Sequence, residues 1–123
     1  LYSDIYAIRL AETYLLRAEA YLGKGDKDNA AKDINVIRSR AKASLVDPSK
    51  VTIDYILDER AMELAIEEPR RLTLARLGLL KSRVAKYNQV SAPSIKDHHN
   101  LWPIPQTEID SNLGAILTQN PGY

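Results

Sequence analysis

Apolar residues recur along the chain mainly at the three- and four-residue intervals of amphipathic helices. The first series predicts a helix from a cap at Ser3 or Asp4 to about Leu22, with this apolar face: Ile5, Ile8, Ala11, Leu15, Ala18 and Leu22. Gly23 is expected to end it as a left-handed cap, and Gly25-Asp26 to form the following turn.

A second helix is predicted from about Lys27 to Ala41, with these residues facing inward: Ala30, Ile34, Ile37 and Ala41. Because the connection is short, the two helices should pack as antiparallel neighbours. The spacing of Ala18, Tyr21, Ala30 and Ile34 resembles the small-aromatic-small-bulky positions of a tetratricopeptide (TPR) repeat. One such unit cannot bury its faces alone, so we expect it to stack on later helices here and on helices upstream.

Further helices are predicted between residues 52 and 88. Thr52 should cap a third helix to about Glu67, with these apolar positions: Ile53, Ile56, Leu57, Ala61, Leu64 and Ala65. Pro69 stops that helix or begins a fourth, which is predicted from about Arg70 to Leu80 and carries Leu72, Leu74, Leu77 and Leu80. Gly78 interrupts the fourth helix or marks its end, and residues 82–87 form another short helical turn.

The C-terminal region, residues 89–123, is predicted to be a polar loop followed by an irregular tail. Residues 101–110 and 118–123 are expected to form neither regular helix nor strand, because Pro103 and Pro105 remove backbone donors and Pro121-Gly122 favours a turn. The tail should lie across helices. The predicted fold class is therefore all-α, with TPR-like antiparallel pairs and a Pro-rich C-terminal segment packed on them.

Size and charge restrict the class of protein. The 123 residues, 45% of them hydrophobic, suit one domain with a core: a TPR-like hairpin over 1–43, helices over 52–88 and the tail over 89–123. A net charge of +1 with scattered charges favours neither nucleic acid nor an anionic membrane as a partner. There is no cysteine, and no apolar run approaches the ~20 residues that span a bilayer. Because Leu1 leads directly into a predicted helix, we expect a fragment of a longer protein with its targeting segment upstream.

Acidic residues of the third helix are the first candidates for chemistry. Glu59, Glu63 and Glu67 have i, i+4, i+8 spacing, and Asp58 and Glu68 lie beside them. Glycosidases use such carboxylate pairs, usually on loops or strand ends that face a cleft. Several arginines within a few turns favour an ion-pair network between the third and fourth helices instead: Arg60, Arg70, Arg71 and Arg76. We therefore predict no catalytic residue and no enzyme activity.

Other motifs are too incomplete to predict a metal or cofactor site. His98 and His99 are adjacent and have only Asp97 nearby, which favours a polar loop over a metal site. Residues 26–29 (DKDN) lack the glycine and glutamate of a calcium loop and suit a helix N-terminus. Gly23-Lys24-Gly25 is too short for a phosphate loop and follows a helix.

Two aromatic residues are candidates for contact with sugars. Tyr87 and Trp102 could stack on sugar rings, as amphipathic aromatic side chains do in ligand sites. For Trp102, which precedes Pro103, a structural anchor is the favoured alternative. The loop over 89–100 is the expected place for ligand or partner contacts, and Lys96, His98 and His99 are its candidate residues.

Several segments in order resemble the C-terminal part of the SusD/RagB family. Residues 14–22 (YLLRAEAYL) with 34–41 (INVIRSRA) are similar to its TPR-like pair, and 56–64 (ILDERAMEL) to its next helix. Residues 102–105 (WPIP), 108–109 (EI) and 119–123 (QNPGY) are similar to its C-terminal signature. Leu72-Thr73-Leu74 replaces aromatics found there in many members, so any contact made at that point is in doubt.

The resemblance implies a Bacteroidetes lipoprotein at the extracellular face of the outer membrane, not an enzyme. Such proteins capture oligosaccharides, glycans or other nutrients and pair with a SusC-type TonB-dependent transporter. The motifs matched here do not include sugar-contacting residues, so the ligand-binding residues stay unknown. The alternative is a TPR-type adaptor that binds proteins and has no sugar specificity.

Overall fold

The computed structural model describes residues 8–123, which are all-α, as predicted, and contain no β-strand. The six helices in this part of the chain are α1 (Leu10–Gly23), α2 (Lys27–Arg40), α3 (Ile53–Glu63), α4 (Arg70–Arg76), α5 (Leu80–Tyr87) and α6 (Gln106–Ser111). Two 3₁₀ turns cover Pro48–Lys50 and Asp97–Asn100. None of these described helices is both long and apolar enough to cross a membrane. The chain divides into two compact units, Leu1–Glu68 and Pro69–Tyr123.

The first unit is built around the α1–α2 pair. Arg17 near the middle of α1 binds Asp33 near the middle of α2, with both N–O distances 2.7 Å. This hydrogen bond also raises the pKa of Arg17. Ala11, early in α1, shares a groove with Ile37, late in α2, so the helices are antiparallel, as predicted. The pair is compatible with TPR-like packing. The core of the first unit joins it to the following segments and consists of Leu15, Ala18, Ala30, Ala31, Ile34, Ile37, Val46, Val51, Ile56 and Leu64.

The beginning of α1 differs from the prediction. Ile8 lies in a bend and Arg9 is extended, so the helix starts at Leu10. Ile8 is 67% exposed and does not belong to the inward face that the spacing predicted. Arg9 is held in this position by ion pairs with Glu63 (3.1 Å) and Glu67 (2.5 Å). The predicted cap at Ser3 or Asp4, and Ile5, lie outside the described residues.

In the α1–α2 turn the left-handed glycine lies two residues later than predicted. Gly23 is the last helical residue, and Gly25, at φ +78°, has the left-handed conformation. The Gly25 amide donates to the Leu22 carbonyl and the Asp26 amide to the Tyr21 carbonyl, both at 2.9 Å, which is the Schellman pattern. Asp26 then caps α2 by accepting from the Asn29 amide, which lowers the pKa of the Asp26 carboxyl. Residues 26–29 are thus a helix N-terminus, as predicted.

α3 begins as predicted but is shorter. Thr52 caps it by accepting from the Tyr55 amide at 3.1 Å. The helix ends at Glu63, not at Glu67, because the chain turns at Leu64, whose carbonyl accepts from the amides of Glu67 and Glu68. Ala65 therefore lies beyond the helix and is exposed. Ala61 lies within the helix and is also exposed, so the prediction that both belong to the apolar face is wrong.

The turn after α3 encloses a buried arginine. Arg60 is 1% exposed; its Nε lies 2.7 Å from a carboxylate oxygen of Glu68, and its Nη2 lies 3.3 Å from one of Glu12. The Glu68 side chain is only 2% exposed. Because a buried charge needs a close counter-charge, these bonds couple the end of α3 to α1.

In the second unit, Gly78 separates two helices. α4 ends at Arg76, and Gly78 has a left-handed φ of +68°. The Gly78 amide donates to Ala75 and the Leu79 amide to Leu74, again the Schellman pattern. The prediction that the fourth helix continues to Leu80 is therefore wrong, and the alternative that Gly78 marks its end is correct. Leu80 instead begins α5.

The tail contains one helix that the sequence did not predict. Residues 106–110 belong to α6, because Pro105 precedes the first turn, where a missing amide hydrogen costs no helical bond. The last residues form the expected turn: Gly122 has φ +95°, and the Tyr123 amide donates to the Asn120 carbonyl. The Gln119 side chain accepts from the Ile104 amide (2.8 Å) and donates to its carbonyl (2.9 Å).

We predict that Arg60→Leu lowers the free energy of unfolding by about 3 kcal/mol or more, because Glu68 then stays buried without its arginine. Arg60→Leu combined with Glu68→Leu should recover part of this loss, since the buried carboxylate is removed together with the arginine. Urea unfolding measures both. The matched control is Arg40→Leu, which breaks an ion pair of a 63% exposed side chain with Glu63 and should cost less than about 1 kcal/mol. An equal cost for Arg60→Leu and Arg40→Leu would contradict the argument.

We predict that Gly122→Ala detaches the last residues of the tail. An alanine is strained at this φ, and its Cβ would lie 2.6 Å from Cγ of His98. Hydrogen exchange of the Ile104 amide, which Gln119 protects, should accelerate at least about tenfold, the equivalent of 1.4 kcal/mol of lost local stability. Gly114→Ala is the control, because its Cβ would meet nothing within 4 Å. Unchanged exchange in Gly122→Ala would show that the tail does not depend on this turn.

Candidate functional site

A cleft of about 380 Å³ lies in the second unit. α4, α5 and the loop that follows α5 supply its walls. Four of its lining residues are aliphatic: Leu74, Leu80, Val84 and Ile95. Leu74 and Leu80 are almost fully buried, so they form a fixed apolar surface. Such a surface with a few polar groups around it is the usual composition of a small-molecule site.

The polar residues that line the cleft are either basic or uncharged. Arg70 and Arg71 provide guanidinium groups, His99 provides an imidazole ring, and Asn88, Ser91 and Ser94 provide amide and hydroxyl groups. Ser91 and Ser94 are fixed by local bonds: the Ser91 amide donates to the Asn88 side chain, and the Ser94 hydroxyl to the Ser91 carbonyl, both at 3.0 Å. None of the described residues that line this cleft is Asp or Glu.

Arg71 connects the cleft to the C-terminal segment. Its Nη2 donates to the carbonyls of His99 (2.8 Å) and Leu101 (3.3 Å). Its guanidinium carbon lies 3.5 Å from the centre of the Trp102 ring, a cation–π contact. A single side chain from α4 therefore fixes both the backbone of residues 99–101 and one face of the indole.

Trp102 is attached through its backbone, and its ring stays accessible. The Trp102 carbonyl accepts from the Asn120 side chain at 2.7 Å, whereas the residue as a whole is 59% exposed. The sequence favoured a structural anchor for this side chain. Arg71 and Asn120 hold the residue in place, as an anchor requires, while its exposure leaves an aromatic surface accessible.

Tyr87 is also exposed, at 56%, and ends α5. The guanidinium of Arg83 and the ammonium of Lys86 lie 4.6 and 4.8 Å from the centre of its ring. Tyr87 is not among the residues that line the cleft, although the next residue, Asn88, is. Tyr87 is therefore a second exposed aromatic surface, and in the sequence it is next to a residue that lines the cleft.

His98 and His99 pack with the last residue. The two rings lie 4.2 Å apart between centres, and the ring of Tyr123 meets that of His98 edge-on at 5.0 Å. Partial burial lowers the pKa of His98, and the neighbouring His99 adds to this effect. Nδ1 of His99 accepts from the Lys96 amide at 2.8 Å. Over residues 8–123 no three His, Cys, Asp or Glu side chains are grouped so that they could hold a metal ion.

The carboxylates of α3 are engaged in ion pairs in the first unit. Glu59 binds Arg38, and Glu63 binds Arg40 at 2.6 Å as well as Arg9. The Glu59–Arg38 and Glu63–Arg40 pairs join α3 to α2, a connection that the sequence did not predict. The network with the fourth helix stays a prediction. These contacts agree with a structural role for the acidic series.

The first unit also has an apolar groove, of about 430 Å³. Its walls come from the start of α1 and the end of α2 and include Ile8, Leu10, Tyr14 and Val36. Ile8 and Leu10 are 67% and 68% exposed. Arg9 and Arg40 also line the groove, and both are bound to Glu63.

Sequence reasoning identified the neighbourhood of the cleft but few of its residues. Of the loop candidates, His99 lines the cleft, whereas Lys96 and His98 do not. The missed residues are Arg70, Arg71, Asn88, Ser91 and Ser94. One signal was available: Asn88, Ser91 and Ser94 recur every third residue directly after a helix, a pattern typical of turns held by their own side chains.

The chain was compared with known proteins. The SusD family model matches residues 2–123. The chain is 35% identical over 125 residues to the starch-binding protein SusD of Bacteroides thetaiotaomicron, covering 98% of this chain and 22% of that protein. It is 34% identical over 127 residues to the SusD-like protein P25 of Formosa agariphila, covering 94% of this chain and 24% of that protein.

The chain thus spans less than a quarter of the length of the curated relatives it matches. No solved structure gives a significant match. The family match extends over the α1–α2 pair, α3, the cleft and the C-terminal tail. The chain belongs to the SusD family.

Proposed function

We propose that this chain takes part in capturing an oligosaccharide or a similar nutrient, without catalysing its conversion. The observation that carries the proposal is the family match over residues 2–123. A relative with 35% identity is named a starch-binding protein, which supports a glycan as the class of ligand here.

The cleft of the second unit supports this proposal. A sugar ring presents apolar C–H faces and polar hydroxyl edges. The partly exposed aliphatic side chains of Val84 and Ile95 suit the first, and the Asn88, Ser91 and Ser94 side chains suit the second. The exposed ring of Trp102 offers a further stacking surface held by Arg71.

The acidic residues support binding without catalysis. A glycosidase needs two carboxyl groups that face the scissile bond, one of them protonated. Glu59 and Glu63 instead face the arginines of α2 and are bound to them in ion pairs.

The cellular setting of this proposal comes from the family. We place the protein at the extracellular face of the outer membrane, held by a lipid anchor upstream of the present residues. There it would deliver its ligand to a SusC-type TonB-dependent transporter.

The test is binding of the chain to a panel of host, plant and bacterial glycans by calorimetry. We predict that Trp102→Ala weakens binding of the best ligand about tenfold, because loss of an aromatic stacking surface costs on the order of 1.4 kcal/mol. Trp102→Phe should retain most of the affinity, since it keeps an aromatic face. Tyr87→Ala tests the second exposed ring in the same way.

Tyr55→Phe serves as the control, because Tyr55 packs against the core of the first unit. Circular dichroism of each variant separates loss of binding from loss of fold. If no glycan binds, or if Trp102→Ala binds every glycan as the unmodified chain does, this site proposal is wrong.

A TPR-type adaptor is the second candidate function, and the apolar groove of the first unit favours it. Leu10→Asp would place a charge in that groove and should reduce binding of a partner protein there. The same change should leave glycan binding unaltered. Absence of glycan binding together with a Leu10-dependent partner would favour the adaptor.

A further inference from the structure

We propose that His98, His99 and Tyr123 form a pH-sensitive cluster, which holds the segment that carries the exposed Trp102 ring at neutral pH and releases it in acid. The chain has two histidines, and they are adjacent, so every imidazole of the protein belongs to this cluster. Release of the segment is independent of the proposed function, whereas its effect on ligand binding rests on that function.

His99 makes its observed hydrogen bond only as a neutral ring. Its Nδ1 lies 2.8 Å from the backbone nitrogen of Lys96 and accepts from that amide. An amide nitrogen only donates, so Nδ1 must carry its lone pair and the ring hydrogen must lie on Nε2. Protonation would place a hydrogen on Nδ1 and end the bond. The start of the 3₁₀ turn Asp97–Asn100 is therefore fixed by an acceptor that acid removes.

His98 is packed against two other rings and the backbone of the last residues. The centres of the His98 and His99 rings lie 4.2 Å apart, and the ring of Tyr123 meets His98 edge-on at 5.0 Å. Gly122 lies so close that a Cβ there would be 2.6 Å from Cγ of His98. Two imidazolium charges at the separation of the histidine rings repel each other. Because Gly122 and Tyr123 pack directly on the His98 ring, a movement of this ring displaces them.

The packing favours the neutral form of His98. Burial lowers the pKa of its imidazole, and the neighbouring His99 and Lys96 lower it further, whereas Asp97 has the smallest effect, in the opposite direction. A histidine whose pKa is lowered by folding stabilises the folded arrangement above its ordinary pKa, and this contribution is lost as the pH falls. The cluster should therefore be intact above about pH 6.5, the ordinary value for histidine, and open as the pH falls through the lowered pKa of His98.

The other charged side chains next to the cluster come from α4, α5 and its own segment. Nη2 of Arg71 in α4 donates to the His99 carbonyl at 2.8 Å, and Arg70 lines the cleft together with His99. Lys81 in α5 binds Asp97 at 2.8 Å, and the Asp97 side chain is 82% exposed. A charge on the His99 ring would therefore arise on the residue to which the Arg71 guanidinium is bound, and like charges repel.

The last residues connect the cluster to Trp102. The Tyr123 hydroxyl donates to the Leu101 carbonyl at 2.9 Å, and the Asn120 side chain donates to the Trp102 carbonyl at 2.7 Å. The Tyr123 amide also donates to the Asn120 carbonyl, at 3.3 Å, so both attachments belong to one turn. Displacement of Tyr123 therefore loosens the backbone that presents the Trp102 ring.

The test follows the whole chain as a function of pH. The chain has one tryptophan, so its fluorescence reports the Trp102 ring, and hydrogen exchange of the Ile104 amide, which Gln119 binds at 2.8 Å, reports the turn. Between about pH 8 and about pH 5, where histidine changes its charge, acrylamide quenching of Trp102 should increase. The protection factor of the Ile104 amide should fall at least about tenfold. The Ala30 amide in α2, which donates to the Asp26 carbonyl, should keep its protection.

Two substitutions remove the titration and keep the contacts. His99→Asn places an amide oxygen near the position of Nδ1, where it can still accept from the Lys96 amide, and His98→Phe keeps a ring against Tyr123. The chain with both changes contains no imidazole and should lose the pH dependence of quenching and of protection. In His99→Asn alone, the pKa of His98, measured by NMR, should rise toward its ordinary value, because one cause of its lowering is removed. Circular dichroism at about pH 8 checks that each variant folds.

Three results overturn the proposal. Unchanged quenching and protection between these pH values would show that the cluster does not open. The same changes in the chain without imidazole would assign them to carboxyl groups. A parallel loss of protection at Ala30 would show acid unfolding of the chain instead of a local release.

Ligand binding is measured separately. A glycan that binds the cleft should lose affinity in acid with the unmodified chain and keep its affinity with the chain without imidazole. A tail that responds to pH in a chain that binds no glycan at any pH would contradict the proposed function and leave the cluster in place.

Discussion

The second unit depends on hydrogen bonds to the backbone between residues 99 and 104, a segment in which two prolines lack amide hydrogens. Side chains form the hydrogen bonds to these backbone groups that a helix or sheet would otherwise provide. Arg71 and the Tyr123 hydroxyl donate to the Leu101 carbonyl, Asn120 donates to that of Trp102, and Gln119 pairs with both backbone groups of Ile104. Because these donors come from α4 and from the last five residues, they position the wall of the cleft and the Trp102 ring together.

The helices were predictable where a local signal fixed them. Thr52 and Asp26 cap helices through bonds within three residues, and Gly78 ends α4 through its own left-handed conformation, so each signal is complete in the nearby sequence. The errors arise where a distant contact or a turn determines the end of a helix. α1 begins at Leu10 with Arg9 bound to Glu63 and Glu67, and α3 stops where Leu64 turns the chain. α6 was missed because Pro105 was taken to exclude a helix, whereas it precedes one.

The candidate site was less predictable than the fold, for two physical reasons. The bond from Arg71 to the His99 carbonyl joins residues 28 positions apart, and no periodic pattern encodes such a pair. In addition, Asn88, Ser91 and Ser94 lie in a polar segment without hydrophobic periodicity, so their place in the cleft wall becomes visible only in the folded unit.

The C-terminal signature that identified the family is used here mainly for internal bonding. Gln119 and Asn120 of QNPGY bind Ile104 and Trp102 of WPIP, so the two parts of the signature stabilise each other. Their backbone and amide groups are thereby occupied and cannot also select a ligand. The Trp102 ring is the exception, because Arg71 covers one face of it while the residue stays 59% exposed. We therefore propose that ligand contacts in this unit lie outside the signature, at residues such as Asn88 and Ser91 that line the cleft.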